Sequence, residues 1–288
     1  MADKRESYQD LLAEHGARAP YLVQALLERP AQPSKERLQA ALTRRVGKLV
    51  PLDPRSELLA FALLDHRVDV QGNPIPVQHV VTLAPRLAAP KQLETSLAQT
   101  WDWPEARSAL AASTATLVLS DLMAGALDRK LRMELFHGLV RSVLEELPVK
   151  ALHWLPAQRL VNPKAYLEAL DADRPLAASL VNVRLFKVDG PIPGEMVMDT
   201  LGLASFSLPD LQIHFAGLDP VKVAARLHSF AQRLFDHGDD FADGSDVAGI
   251  TPKDRWTVKH TPSVAEPTRK TLTLDPGEAH RPRVAFPN

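Results

Sequence analysis

The side chains best suited to acid–base or metal chemistry, the histidines, are spread singly along the chain. The ten histidines lie at positions 15, 66, 79, 137, 153, 214, 228, 237, 260 and 280. No two have the four-residue spacing that places a pair of imidazoles on one helical face for a metal. His153, beside Trp154 in a predicted strand, is the most suggestive candidate general base, with a hydrogen-bonded core histidine as the alternative. The histidine pattern therefore predicts neither a catalytic residue nor a metal site.

The acid-rich segment 236–246 holds five aspartates and two glycines, a composition that can bind a hard cation. Phe241 falls where the alternating calcium-ligand pattern needs an oxygen. A loop that starts at Asp239 places Ile250 where the final bidentate glutamate belongs. Metal binding is not expected, which leaves a solvated loop or a docking surface for a basic partner. The residues assigned to that docking surface are Asp239, Asp240, Asp243 and Asp246.

Motifs of common enzyme classes are missing from the chain. It contains no G-x-G-x-x-G, G-x-x-x-x-G-K-[ST] or G-x-S-x-G segment, so the usual dinucleotide, phosphate and serine-hydrolase loops are not expected. The chain also has no cysteine, which excludes disulfides, thiolate nucleophiles and cysteine-ligated metals. The sequence predicts no cofactor and favours a non-enzymatic role, although it leaves enzymatic activity open.

Composition places the chain among globular proteins. Of its 288 residues, 45% are hydrophobic and 24% are charged, and the net charge is −1. That balance, with no aromatic residues interleaved among the basic pairs, favours neither nucleic acid nor an anionic membrane as a partner. No window approaches 18 apolar residues and no targeting segment is visible, so a cytoplasmic location is expected.

Hydrophobic periodicity predicts an α+β fold in which strands and helices alternate. The first elements follow the order β-α-β-β-α-β, which is typical of a ferredoxin-like sandwich, and the later ones repeat most of it. We therefore expect two ferredoxin-like halves, with one continuous mixed sheet as a possible arrangement. The predicted boundaries are an N-terminal helix at 1–19, a first half at 20–125, a linking helix at 126–150, a second half at 151–260 and an extended arm at 261–288. The arm is predicted because five of the 24 prolines lie in it.

Trp101, Asp102 and Trp103 form the densest aromatic site in a chain with only sixteen aromatic residues. Exposed tryptophans would make an interface hot spot, whereas buried ones would cover the sheet where a predicted helix breaks. These three residues are the second candidate partner-binding site.

Several segments together resemble an uncharacterised bacterial family, the domain of unknown function DUF4261. They are Q-T-W-D-W-P-E-A at 99–106, the apolar strand at 115–122, D-T-L-G-L at 199–203, Phe206, and L-P-D-L-Q-I at 208–213. The similarity extends over about residues 20 to 250, and the family offers no catalytic residue to carry over. The resemblance implies a bacterial origin. Because such genes occur near toxin and secretion loci, it also implies an immunity-type or secretion-accessory role.

We therefore expect a protein that binds another protein, such as a basic toxin or a secretion component. One alternative is a small-molecule sensor or enzyme that uses a cleft between the halves. A second alternative is a structural subunit of a larger assembly.

Overall fold

The computed structural model describes residues 15, 19–55, 58–84, 86–87, 90–174, 180–189 and 191–282. The described residues form two compact units: the first unit comprises those between 15 and 174, and the second unit comprises those between 180 and 282. Apart from His15 and Ala19, the predicted helix at 1–19 lies outside the described residues. No described helix has the length and apolar character needed to cross a membrane.

The first unit is built on a seven-stranded sheet of order β2-β3-β4-β5-β1-β6-β7. All its strand pairs are antiparallel. Its elements are β1 (Leu22–Leu27), α1 (Lys35–Val46), β2 (Leu49–Pro51), β3 (Leu59–Val70), β4 (Asn73–Ala84), α2 (Pro90–Ala98), α3 (Ala106–Ala111), β5 (Ala115–Leu122), α4 (Arg129–Glu146), β6 (Ala151–Trp154), β7 (Arg159–Val161) and α5 (Pro163–Asp171).

Helix boundaries in this unit follow the capping residues of the sequence. Ser34 caps α1 by accepting a hydrogen bond from the Arg37 backbone, and Gly47 ends the helix at a φ of 83°. Asp128 caps the long helix α4 in the same way, by accepting from the Lys130 backbone at 2.9 Å.

Both faces of β1 are buried, because helices pack on each side of the sheet. Tyr21, just before β1, contacts Phe136 of α4, with ring centroids 5.4 Å apart. Leu26, which points to the opposite side, belongs to a cluster with Leu97 of α2 and Leu110 of α3. Because successive side chains of β1 point to opposite faces of the sheet, one face of the strand packs against α4 and the other packs against α2 and α3.

The strand order of the first sheet corrects the ferredoxin-like prediction for this unit. In a split βαβ unit, the two strands that a helix connects are parallel and a third strand lies between them. Here β4 and β5, which α2 and α3 connect, are direct antiparallel neighbours. Apart from the short strands β2 and β7, which were not predicted, the element types were predicted in the right order. Periodicity does not specify which strands become neighbours.

The second unit contains a six-stranded sheet of order β11-β12-β13-β10-β9-β8. All its pairs are antiparallel except the parallel pair β10–β13. Its elements are β8 (Asn182–Lys187), β9 (Met196–Leu201), a 3₁₀ helix (Leu203–Phe206), β10 (Asp210–Phe215), α6 (Pro220–His237), β11 (Asp246–Ala248), β12 (Arg255–Pro262) and β13 (Lys270–Asp275). Helix α6 packs on β8, β9 and β10.

The division between the units falls near residue 180 and not at the predicted 126–150 link. Strands β6 and β7 pair with β1 in the first sheet, although residues 151–161 were predicted to open the second half. Helix α4, predicted as the link, packs against α1 and β5 within the first unit. Its length and apolar spacing identify a helix but not the sheet that the helix covers.

The predicted arm at 261–288 contains an interior strand of the second sheet. β13 lies between β12 and β10, and its Leu272 and Leu274 are buried. The segment predicted as an extended arm therefore contributes an interior strand to the second sheet, and removing it would remove that strand. Prolines 262, 267 and 276 stand at or beyond the strand ends, where a missing N–H costs no ladder hydrogen bond.

Candidate functional site

Trp101 stands on the loop between α2 and α3, and both residues after it are anchored. Trp103 is 9% exposed and packs in the cluster that includes Leu26 and Leu110. Asp102 accepts a hydrogen bond at 2.6 Å from Nη2 of Arg159, on the edge strand β7. Trp101 itself is 57% exposed. Of the predicted aromatic pair, one ring is structural and the other faces solvent.

We call Trp101, Asp102, Glu105 and Arg159 the Trp101 surface. Glu105 is exposed, and the Asp102 side chain is 45% exposed despite its ion pair with Arg159. An indole ring beside carboxylates is suited to a guanidinium or ammonium group, which can lie over the ring face while the acids offset its charge. Arg159, whose role the sequence alone did not indicate, holds this loop against the sheet.

The acidic segment forms an exposed loop whose carboxylates are held by neighbouring groups. His260 of β12 bridges two of them, with Nδ1 2.6 Å from an Asp243 oxygen and Nε2 2.9 Å from an Asp239 oxygen. Asp240 accepts from Arg233 at 2.9 Å, and Asp246 accepts from the Thr257 hydroxyl at 3.2 Å. Three of the four predicted aspartates lie on the loop between α6 and β11, Asp246 is the first residue of β11, and each of the four has a partner.

Charge on this loop depends on His260. Hydrogen bonding to Asp243, reinforced by Asp239, raises the pKa of His260 above its usual value. The His260 backbone N–H and its side chain lower the pKa of Asp243. Segment 236–246 carries five aspartates and no lysine or arginine, so it keeps a net negative charge although Arg233 and His260 contact three of its carboxylates. In the part of the chain that the structure describes, no group of three or more potential ligands is arranged to hold a metal ion.

His153 is a buried, hydrogen-bonded core residue. Its Nδ1 lies 2.9 Å from the Gln24 side-chain oxygen and its Nε2 lies 2.8 Å from Ser96 Oγ. Because the amide oxygen only accepts, Nδ1 carries the proton and Nε2 accepts from the serine hydroxyl. Burial lowers the pKa of His153 to about 4. Ser96, His153 and Gln24 lie in the order of a nucleophile, a base and a group that orients the base. All three residues are at most 4% exposed, so no substrate reaches them in this conformation.

The motif residues near 199–213 form a buried ion network in the second unit. Arg184 makes a two-point contact with Asp199, at 2.8 and 2.5 Å. Arg269 bridges Asp199 at 2.7 Å and Asp210 at 3.0 Å. Burial raises the pKa of Asp210, while Arg269 opposes that shift. The network ties β8, β9 and β10 to the segment that precedes β13, so these motif residues have a structural role.

A small cavity lies on the face of the second sheet that bears Gln212 and His214 of β10. It measures about 220 Å³, and its wall includes Val197, Val264, Asp275 and Arg281. His214 Nε2 lies 2.6 Å from a Glu195 oxygen. Asp275 accepts from Arg281 Nε at 2.9 Å. Within the wall, Asp275 and Arg281 thus bond to each other, while His214 bonds to Glu195 outside it.

The fold and these sites define an α+β protein with two β-sheets, an exposed tryptophan and an acidic loop. Residues 199–275 match the family model described as Domain of unknown function (DUF4261), which confirms the resemblance inferred from the sequence. The match runs from β9 to the end of β13, whereas the sequence motifs suggested a similarity over about residues 20 to 250. No curated protein and no solved structure matches the chain.

Proposed function

We propose that this protein is a non-enzymatic binding factor for another protein and that Trp101 anchors the contact. The observation that carries the proposal is a large aromatic ring, 57% exposed, on a loop fixed by a core tryptophan and by the Asp102–Arg159 ion pair. A ring held in place loses little conformational entropy on binding, and tryptophan is enriched among residues that dominate interface energies.

The partner that fits best is a basic protein. The exposed acids Asp102 and Glu105 follow Trp101 in the chain, and the separate segment 236–246 carries excess negative charge, so both surfaces complement cations. The DUF4261 resemblance adds the expectation of an immunity-type or secretion-accessory role, with a basic toxin or a secretion component as the partner. That step rests on the association of such genes with toxin and secretion loci and on no residue of this chain.

Replacing Trp101 with alanine is expected to weaken binding to the purified product of the adjacent gene by about 30-fold or more, because a hot-spot truncation costs about 2 kcal/mol. Isothermal titration calorimetry gives the Kd. Tryptophan emission supplies a second readout: Trp103, Trp154 and Trp256 are already buried, so a blue shift on binding reports Trp101.

Val221→Ala is the matched control, since Val221 is 71% exposed on α6 and lies outside both proposed surfaces. It should leave the Kd unchanged. Equal affinities for the wild type and the Trp101→Ala variant would exclude Trp101 as the anchor. Failure of the adjacent gene product to bind at all would count against the proposed role.

A second candidate function is small-molecule binding, and the 220 Å³ cavity favours it. Its volume lies below the usual range of about 300–1,000 Å³ for ligand pockets, so only a small ligand would fit. We expect that a ligand found by NMR screening would lose binding in Val264→Trp, because the indole ring would occupy the cavity. Val264 is 46% exposed, so the change should leave the unfolding free energy within about 0.5 kcal/mol. Unchanged ligand affinity in this variant would place the ligand elsewhere.

A further inference from the structure

The far end of the β3–β4 hairpin projects as a two-stranded ribbon. On one side, β2 pairs with residues 61–63 of β3, and the backbone bond nearest the turn is the one that Leu64 donates to Lys48. On the other side, β5 pairs with β4 only from Gln78 onward. Residues 66–77 therefore extend past both neighbouring strands, with two lateral backbone edges.

The turn fixes which backbone groups point outward along each edge. Gln71 and Gly72 both have positive φ, 54° and 83°, which makes a type I′ turn. The flanking pair Val70–Asn73 then exchanges backbone hydrogen bonds, and alternate pairs along the ribbon do not. Arg67 and Asp69 lie opposite Pro76 and Pro74, at positions whose backbone groups face away from the partner strand.

The two edges of the ribbon differ in their capacity to add a strand. On the β4 edge, Pro74 and Pro76 have no N–H to offer, which blocks pairing there. On the β3 edge, the N–H and C=O groups of Arg67 and Asp69 point outward. Within the described residues, no backbone hydrogen bond joins them to another segment. The Arg67 and Asp69 side chains are exposed.

The sequence of this edge is complementary to itself. Antiparallel pairing of two copies about Val68 sets Arg67 of each copy opposite Asp69 of the other, and these are the residues whose backbone groups point outward. The neighbouring registers, centred on Arg67 or on Asp69, place like charges directly opposite each other, which is destabilising. Of these three two-fold registers, charge thus favours the one centred on Val68.

We propose that two copies of this chain associate through the β3 edge of the ribbon, with Arg67 of each copy paired to Asp69 of the other. Each such pair exchanges both of its backbone hydrogen bonds, which joins the two ribbons into one intermolecular sheet. The contact is short compared with an obligate interface, so the dimer is in concentration-dependent equilibrium with the monomer.

Sedimentation velocity over a range of concentrations tests this proposal. The wild type should show a rising dimer fraction, and Arg67→Asp should self-associate about tenfold or more weakly, because both cross-strand pairs become repulsive. Arg67→Asp keeps the turn contact in which Asp69 accepts from the Gly72 backbone. Lys164→Asp, an equally large charge change at an exposed site on α5, should dimerise like the wild type.

Mixing two variants separates the proposed pairing from loss of fold. The Arg67→Asp variant has two acidic residues on the edge and the Asp69→Arg variant has two arginines. Like charges then repel in each variant alone, which should remain monomeric, while a mixture of the two should form a heterodimer. Association restored only on mixing requires a folded edge in both variants. A wild type that stays monomeric at every concentration, or a mixture that does not associate, overturns the proposal, and in that case the edge is open to a strand of a different protein.

Discussion

Acidification from pH 7 to pH 5 is expected to unfold the first unit or to bring it close to unfolding. Three histidines of this unit are buried, and desolvation is the main cause of each pKa change. It lowers the pKa of His79 to about 4, that of His137 to about 3 and that of His153 to about 4. The folded unit therefore holds these imidazoles neutral at a pH where the unfolded chain protonates them.

The sign of the pH dependence follows from proton binding. Between the unfolded pKa of 6.5 and the lowered folded values, the unfolded state binds more protons, so the free energy of unfolding falls as the pH falls. At pH 5 each histidine costs about 2 kcal/mol relative to neutral pH, or about 6 kcal/mol for the three together. Whole domains have an unfolding free energy of about 5–15 kcal/mol, so this loss is decisive.

His79→Leu is the variant best suited to test this account. The Nδ1 atom of His79 is buried without a partner among the described residues, so the change removes a titrating group and an unsatisfied nitrogen while keeping a similar volume. We expect unchanged or higher stability at pH 7 and a smaller loss at pH 5. Urea unfolding followed by peptide-resolved hydrogen exchange measures the first unit separately.

The second unit supplies the control for acid sensitivity. Hydrogen bonding to Asp243 raises the pKa of His260, so its stabilising contribution is complete below pH 6.5 and is lost as the pH rises through the folded pKa. Its side chain is 38% exposed, and solvent screening keeps that contribution small.

The control variant is His237→Gln, which changes a histidine of the second unit on the last turn of α6. It should not change the acid response of the first unit. Equal urea midpoints for the first unit at pH 7 and pH 5 would contradict the account.

Local signals in the sequence predicted the elements but not their partners. Ser34 and Gly47 bound α1 because capping is a property of a few adjacent residues. Neighbours in the sheet depend on contacts between distant segments, such as β1 with β6 across more than a hundred residues. The predicted arm shows the same limit. The alternation T-L-T-L at 271–274 is typical of a strand, but nothing near it in the sequence indicates that β10 and β12 lie on either side.

The sequence identified the candidate site residues by their types, but it did not predict which of them are buried or which residues contact them. The aromatic motif was found, yet the exposure of Trp101 and the burial of Trp103 depend on a helix cluster and on Arg159, which lies 57 residues after Asp102. The acidic loop was found, but His260, which bridges two of its carboxylates, lies on β12 and carries no local signal. The role of Asp199 within the D-T-L-G-L motif depends likewise on arginines distant in sequence.

Asp199→Asn is expected to destabilise the second unit by about 3–5 kcal/mol, because removing one member of a buried ion network leaves its partners uncompensated. Asp199 is 1% exposed and receives both Arg184 and Arg269, whose side chains are 6% and 7% exposed. The asparagine keeps the volume but not the charge. Arg184 then has no carboxylate partner in this network, and Arg269 keeps only Asp210.

Urea unfolding followed by hydrogen exchange in peptides of β8 to β10 measures this loss, and Asp246→Asn is the matched control. Asp246 is exposed and accepts one hydrogen bond, at 3.2 Å from Thr257, so the same chemical change there should cost no more than about 0.5 kcal/mol. Because Arg269 also donates to the backbone of Thr200 and Pro267, Asp199→Asn should loosen the segment that leads into β13 as well. Protection lost in β9 but retained in residues 263–270 would show that Asp199 does not hold that segment. A cost similar to that of Asp246→Asn would mean that the arginines find other compensation.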